Sequence, residues 1–117
     1  YLKTMHSLAL QVFLNILYNA AAYADKEQGK VLVALERSGE EIVFSFENNG
    51  SPIPEEKQPL IFSKFPGAAG EGLGLFIVKM ISSYLGWDVS FKSPAQGKIG
   101  AVFYVKIPVK ILKIYLD

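Results

Sequence analysis

Gly70-Glu71-Gly72-Leu73-Gly74-Leu75 runs directly into Phe76-Ile77-Val78-Lys79-Met80-Ile81-Ser82-Ser83-Tyr84-Leu85-Gly86, and this stretch decides how the rest of the chain reads. Glycines let backbone amides come close to a ligand, and the N-terminus of a helix gathers N–H groups that suit an anion. Phe76, Val78, Met80 and Ile81 supply the apolar side of a helix predicted over Leu75–Leu85, and Gly86 is placed to stop it. Taken alone, a G-x-G-x-G fits a flexible loop equally well. The dinucleotide-binding fingerprint is discounted, because no buried parallel strand precedes the glycines.

Upstream, Asn48–Gly74 is rich in glycine and proline and reads as a long loop, with a short helical turn around Pro59–Phe62. Loops longer than about 12–15 residues are uncommon in compact domains and are usually functional. Before it, Lys30–Glu36 and Glu41–Glu47 read as two strands joined by a tight turn at Ser38-Gly39, with Ile42, Phe44 and Phe46 on one face. Leu8–Ala24 reads as a helix carrying Val12, Phe13, Ile16, Leu17, Ala20 and Ala21, ended by the polar run Asp25–Gly29. After the second helix, Trp87–Lys92 and Val102–Ile107 form a second strand pair across the turn-rich Ser93–Gly100. The tail Val109–Asp117 fits either one more strand or the start of a linker. This order predicts an α+β fold: a two-layer sandwich whose mixed, mostly antiparallel sheet is covered on one face by helices.

Two asparagines stand out in the first helix. Asn15 and Asn19, four residues apart, lie on one face among strongly apolar neighbours. A buried amide left unpaired costs about 1–3 kcal/mol, so each needs a reason to be there. Either both bond to nearby backbone, or their oxygens hold a hydrated Mg²⁺ and phosphate oxygens, hard ligands suited to that ion. A third feature, Glu47-Asn48-Asn49-Gly50-Ser51-Pro52-Ile53-Pro54, follows a strand directly and alone would be an ordinary turn.

In this order, these segments resemble the ATP-binding catalytic domain of sensor histidine kinases, of the GHKL or Bergerat-fold class. Phe13-Leu14-Asn15-Ile16-Leu17-Tyr18-Asn19-Ala20 resembles the N-box, and Asn48 to Pro54 the G1 box, commonly Asp-Asn-Gly-x-Gly-Ile-Pro. Ile61-Phe62-Ser63-Lys64-Phe65 resembles the F-box, Gly70 to Lys79 the G2 box with its helix, and Gly100 to Pro108 the last box with its closing strand. The resemblance covers residues 7–108. An anti-sigma-factor kinase of the same superfamily fits less well, because the G2 box and its helix look more like those of sensor kinases.

The resemblance implies an enzyme part that binds Mg·ATP and presents its γ-phosphate to a histidine on a separate dimerisation domain of the same protein. A response-regulator receiver domain would be the further partner. Such transfer is mostly positioning and electrostatics. Carried over, Asn19 would hold Mg²⁺, with Asn15 a second candidate ligand, and both would meet the phosphates. Amides around Gly70, Gly72, Leu73, Gly74 and Leu75 would cradle those phosphates. Asn48 would meet the base, Gly50 and Ile53 would be further nucleotide-binding residues, and Lys64 would offer a phosphate or partner contact. Residues Glu55–Ala69 would form a lid anchored by Phe62 and Phe65.

Four departures from the family pattern bear on that expectation. Asn48 stands where an acid accepts a hydrogen bond from the adenine amino group; its amide oxygen is expected to accept that bond, without the charge that strengthens it. Alternatively, its amide donor could turn toward a guanine carbonyl. Pro52 replaces a glycine and lacks an N–H. Ala22 replaces a basic residue, and Ala101 a threonine that supports adenine. The lid between Phe65 and Gly70 is also short. Losing two adenine contacts at about 1–2 kcal/mol each implies about 30- to 1000-fold weaker binding. The rival expectation is therefore a degenerate ATPase-like binding module, in a pseudokinase or histidine phosphotransferase.

The bulk composition is consistent with one domain over residues 1–117, with 109–117 as its tail. Half of the 117 residues are apolar, enough for one core. The absence of cysteine excludes disulfides and Cys-ligated zinc, and suits the cytoplasm. A net charge of +1, with acids and bases mixed, lacks the basic stripe of a nucleic-acid binder. No apolar run is long enough to span a membrane, and no signal-peptide pattern is present. The start at Tyr1, without Met, reads as a piece of a longer chain whose full form could be membrane-anchored. His6, the single histidine, lacks the acid-then-arginine setting of a phosphoacceptor and is expected just before the first helix.

Overall fold

A computed structural model describes residues 2–63 and 74–110. Helix α1 (Leu2–Ala22) is followed by β1 (Val31–Ser38), β2 (Glu41–Asn48), a 3-10 helix (Glu55–Leu60), α2 (Gly74–Leu85), β3 (Asp88–Lys92) and β4 (Val102–Pro108). The strands form one sheet in the order β1-β2-β4-β3. All three pairings are antiparallel, so the expected sandwich stands and no parallel pair enters it among the described residues.

The period of two along the strands separates the layers. Ile42, Phe44 and Phe46 of β2 pair with Ile107, Val105 and Phe103 of β4, and Val89 and Phe91 of β3 join the same face. Helix α1 buries Met5, Val12, Ile16 and Ala20 at helical spacing against this face. Phe13 fixes the contact: its ring lies 4.8 Å from that of Phe44 and 5.6 Å from that of Trp87. The opposite face carries Ser45, Ser90, Tyr104 and Lys106 and faces solvent, as one-sided sheets do. Strand β1 lies at the edge, with Leu32, Val33 and Leu35 exposed.

Several boundaries differ from the expected ones for identifiable reasons. Helix α1 starts at Leu2 rather than Leu8, because Met5 extends the buried stripe, and His6 is an exposed residue inside it. It ends at Ala22, where Ala24 N–H donates to Ala21 O and Asp25 then accepts from the amides of Glu27 and Gln28. That Asp turn satisfies the backbone another way and stops the helix. Leu17 and Ala21 are exposed, so the apolar stripe is narrower than composition implied. The hairpin turn is Gly39-Glu40, one residue later than expected, with Gly39 at φ +60. The helical turn expected around Pro59–Phe62 lies earlier, at Glu55–Leu60. Val109 and Lys110 turn helical instead of continuing β4; the tail beyond them lies outside the described residues.

Helix α2 begins at Gly74 and buries Leu75, Val78, Ser82 and Leu85, leaving Met80 on the solvent side. Its end is a Schellman motif: Trp87 N–H donates to Ser82 O at 2.8 Å and Gly86 N–H to Ser83 O, with Gly86 at φ +80. Ser82 is 1% exposed, and its hydroxyl has no hydrogen-bond partner among the described residues. Ser82→Ala removes that buried hydroxyl and improves helix propensity. It is therefore expected to stabilise the fold by about 1 kcal/mol, read as a raised urea midpoint at unchanged m-value.

Candidate functional site

The open end of the sandwich, where α1, β2, β4 and the start of α2 come together, holds a cavity of about 270 Å³. Asn19 reaches it from the last turn of α1 and Leu75 from the first turn of α2. Asn48 closes β2 beside it, while Ala101 contributes from just before β4 and Phe103 from within it. Ser51, Pro52, Ile53 and Pro54 form one rim and Lys57 and Ile61 another. Among the described residues no carboxylate lines this cavity, and Lys57 is its one cation. A depression lined by Ala22, Ala24 and Lys26 adjoins it through Tyr23 and Ser51. The basic residue lost at Ala22 thus has a lysine four positions further along the chain, on the same side of the molecule.

Asn19 and Asn15 are half-buried, and neither side chain has a hydrogen bond among the described residues. The alternative that both amides are spent on nearby backbone is thereby removed. The pair divides in space: Asn19 lines the cavity and Asn15 does not.

The segment after β2 is held by short bonds on both sides. Because side chains alternate along the strand, Asn48 faces the helices and Asn49 faces away. Asn49 accepts from the amides of Asp25 and Lys30 and donates to Gln28 O, tying down the loop after α1. Asn48 N–H donates to Ala101 O at 3.0 Å. Its side-chain Oδ1 accepts from Gly50 N–H and from Ala101 N–H, each at 3.2 Å. The expected acceptor for an adenine amino group is therefore already occupied, because both lone pairs of that oxygen meet backbone donors. Ser93 Oγ accepts from Ile53 N–H at 2.8 Å and donates to Gly100 O at 3.1 Å, so the wall formed by Ile53 is anchored to the β3–β4 loop.

Gly50, taken in sequence as a nucleotide contact, has a different local reason. A Cβ there would collide with the Tyr23 carbonyl oxygen and lie 2.8 Å from Tyr23 C, and its own carbonyl accepts from Gly100 N–H at 2.7 Å. Gly74 is the reverse: a Cβ would meet nothing within 4 Å among the described residues, so packing does not require it. Phe62 anchors the base of the expected lid, 6.0 Å from Phe91 and 6.4 Å from Phe103, with Lys79 Nζ 5.1 Å above its ring. Lys64, Phe65, Gly70, Gly72 and Leu73 lie outside the described residues. Lys57 and Tyr23 went unnoticed in sequence. Only the spacing of Lys57 from Pro54 could have hinted at the first, and nothing local distinguishes the second.

An amide at the end of one helix, the glycine-led start of another and a strand-end amide around one cavity, on this sandwich, define an ATPase domain of the histidine-kinase-like class. The chain belongs to the family of histidine kinase-, DNA gyrase B-, and HSP90-like ATPases, whose model matches residues 6–111. It is 31% identical over 110 residues to the circadian input-output histidine kinase CikA of Synechococcus elongatus, covering 87% of this chain and 14% of that protein. Among solved structures it is similar to the mycobacterial sensor histidine kinase MprB, with TM-score 0.75 and 28% identity over 87% of this chain and 72% of that one. It also matches histidine kinase ThkA, solved in complex with the response regulator TrrA, with TM-score 0.67 and 33% identity over 88% of this chain and 29% of that one. The chain thus spans a small part of its curated relatives.

Proposed function

We propose that this domain binds a Mg²⁺-bound purine nucleoside triphosphate, ATP being the family's substrate, and presents the γ-phosphate to a histidine on a separate dimerisation domain of the same protein. The observation that carries the reading is Asn19, a half-buried amide whose side chain has no hydrogen bond among the described residues, lining the same cavity as the N-terminal turn of α2. Among the described residues no three His, Cys, Asp or Glu side chains cluster to hold a metal. A Mg²⁺ ion arriving with the nucleotide fits the Asn19 amide oxygen, a hard neutral donor, with phosphate oxygens and water as its other ligands. When bound, that ion neutralises charge on the phosphates. The chain's own residues do the positioning: Leu75 and the first amides of α2 face the anion, Lys57 adds positive charge at the rim, and Ile53, Ile61 and Phe103 exclude water from the base.

The ThkA–TrrA complex supports a receiver domain as the downstream partner, and we place the domain in the cytoplasm, where nucleoside triphosphates are supplied. A second reading, a binding module that has given up nucleotide, draws on Asn48 and Ala101, which leave the base without the usual acceptors. Calorimetric titration with Mg²⁺ and a non-hydrolysable nucleoside triphosphate separates the two. Saturable binding at micromolar to high-micromolar affinity is expected and, in a separate assay with γ-labelled ATP, label transfer to a supplied histidine-bearing domain with release of ADP. Silence at millimolar nucleotide would establish the second reading.

A further inference from the structure

We propose that the cavity selects a 6-oxopurine nucleotide, of the inosine or guanosine type, over an adenosine nucleotide, because Asn48 offers the base a hydrogen-bond donor. The proposal rests on nucleotide binding at this site and names the base that it takes.

Asn48 is 5% exposed, and the backbone around it decides which way its amide is turned. Gly50 N–H and Ala101 N–H both donate to the same side-chain atom, each at 3.2 Å. A backbone N–H cannot accept, so that atom is the oxygen, and the amide cannot be reversed without setting three donors against one another. The frame holding these donors is closely packed. Gly100 packs so closely on Asn48 that a Cβ there would run into the Asn48 carbonyl oxygen, and Gly50 packs equally closely on Tyr23. With Oδ1 committed, Nδ2 is what the amide has left. It has no hydrogen-bond partner among the described residues, and Asn48 lines the cavity.

Of the side chains lining the cavity with Asn48, Ile53, Ile61, Leu75, Ala101 and Phe103 bring no hydrogen-bonding atom, while Asn19, Tyr23, Ser51 and Lys57 bring polar ones. An adenine 6-amino group placed at Asn48 sets N–H against N–H, and Ala101 has no hydroxyl to relieve the conflict. A 6-oxo group meets Nδ2 directly. Sites that hydrogen-bond one substrate group reject analogues lacking it far more strongly than sites that discriminate by fit alone.

Inosine and adenosine diphosphates are suitable probes, since they differ only in the 6-substituent and the N1 proton that accompanies it. Calorimetric titration of the 117-residue chain with Mg·IDP and Mg·ADP is expected to show IDP binding at least tenfold more tightly. In Asn48→Asp, a carboxylate replaces the donor and the order should reverse. Equal affinities, or tighter ADP, in the unmodified chain would overturn the base preference while leaving nucleotide binding in place. Binding of neither at millimolar concentration removes both this proposal and the nucleotide reading. An unchanged IDP-to-ADP ratio in folded Asn48→Asp, with folding checked by circular dichroism, would show that Asn48 is not the selector. The comparison in the unmodified chain decides the matter even if that variant fails to fold.

Discussion

Gly50→Ala is expected to lower stability by about 3 kcal/mol and to abolish nucleotide binding at any practical concentration. The added methyl would fall on the Tyr23 carbonyl oxygen, with Tyr23 C at 2.8 Å and Ala24 C at 3.3 Å. All three are backbone atoms just past the end of α1, and no rotamer change can clear them. The segment must move instead, and three things move with it. Gly50 N–H leaves Asn48 Oδ1, the Gly50 carbonyl leaves Gly100 N–H, and the Ser51–Pro54 rim shifts off the cavity. A urea titration followed by circular dichroism reads the stability loss, and calorimetry reads the binding. Unchanged stability would mean that α1 and the segment after β2 do not meet as described. The control is Gly74→Ala, where space is open among the described residues and the fold should be unaffected.

The second large effect carries opposite signs on its two readouts. Asn19→Ala is expected to weaken Mg-nucleotide binding by about a hundredfold, the loss of about 2.7 kcal/mol that hydrogen bonding to a charged group can supply. Stability should hold or rise by about 0.5 kcal/mol, because alanine is the better helix former and Asn19 gives up no side-chain bond among the described residues. A structural asparagine behaves the other way, with stability falling and binding following it. Asn15→Ala sharpens the comparison, since Asn15 lies one turn away and does not line the cavity. It should cost much less binding than Asn19→Ala. Equal losses from the two would mean that the ligand reaches further along α1 than the cavity indicates.

Much of this protein could be read from residue order. The spacing of Val12, Ile16 and Ala20, the alternation of Ile42, Phe44 and Phe46, and the Gly86 stop each depend on backbone periods that hold before any tertiary contact forms. The segments around Asn19, Asn48 and Gly74 were legible as a set because their order along the chain is itself information. Where boundaries slipped, a longer-range contact or a competing local bond won: Met5 drew α1 toward its N-terminus, and the Asp25 turn cut it short.

By itself, then, the sequence determined the element order, the two-layer sandwich and the residues that could meet a nucleotide, since periodicity and motif spacing are local properties. It could not determine how those residues divide their hydrogen bonds. That Asn19 has no side-chain hydrogen bond among the described residues, that Gly50 packs against the Tyr23 carbonyl, and that Asn48 turns its oxygen inward to two backbone amides were decided only when β2, β4 and the end of α1 came together. An asparagine side chain is both donor and acceptor, and which one it offers depends on neighbours up to 53 positions away in the chain.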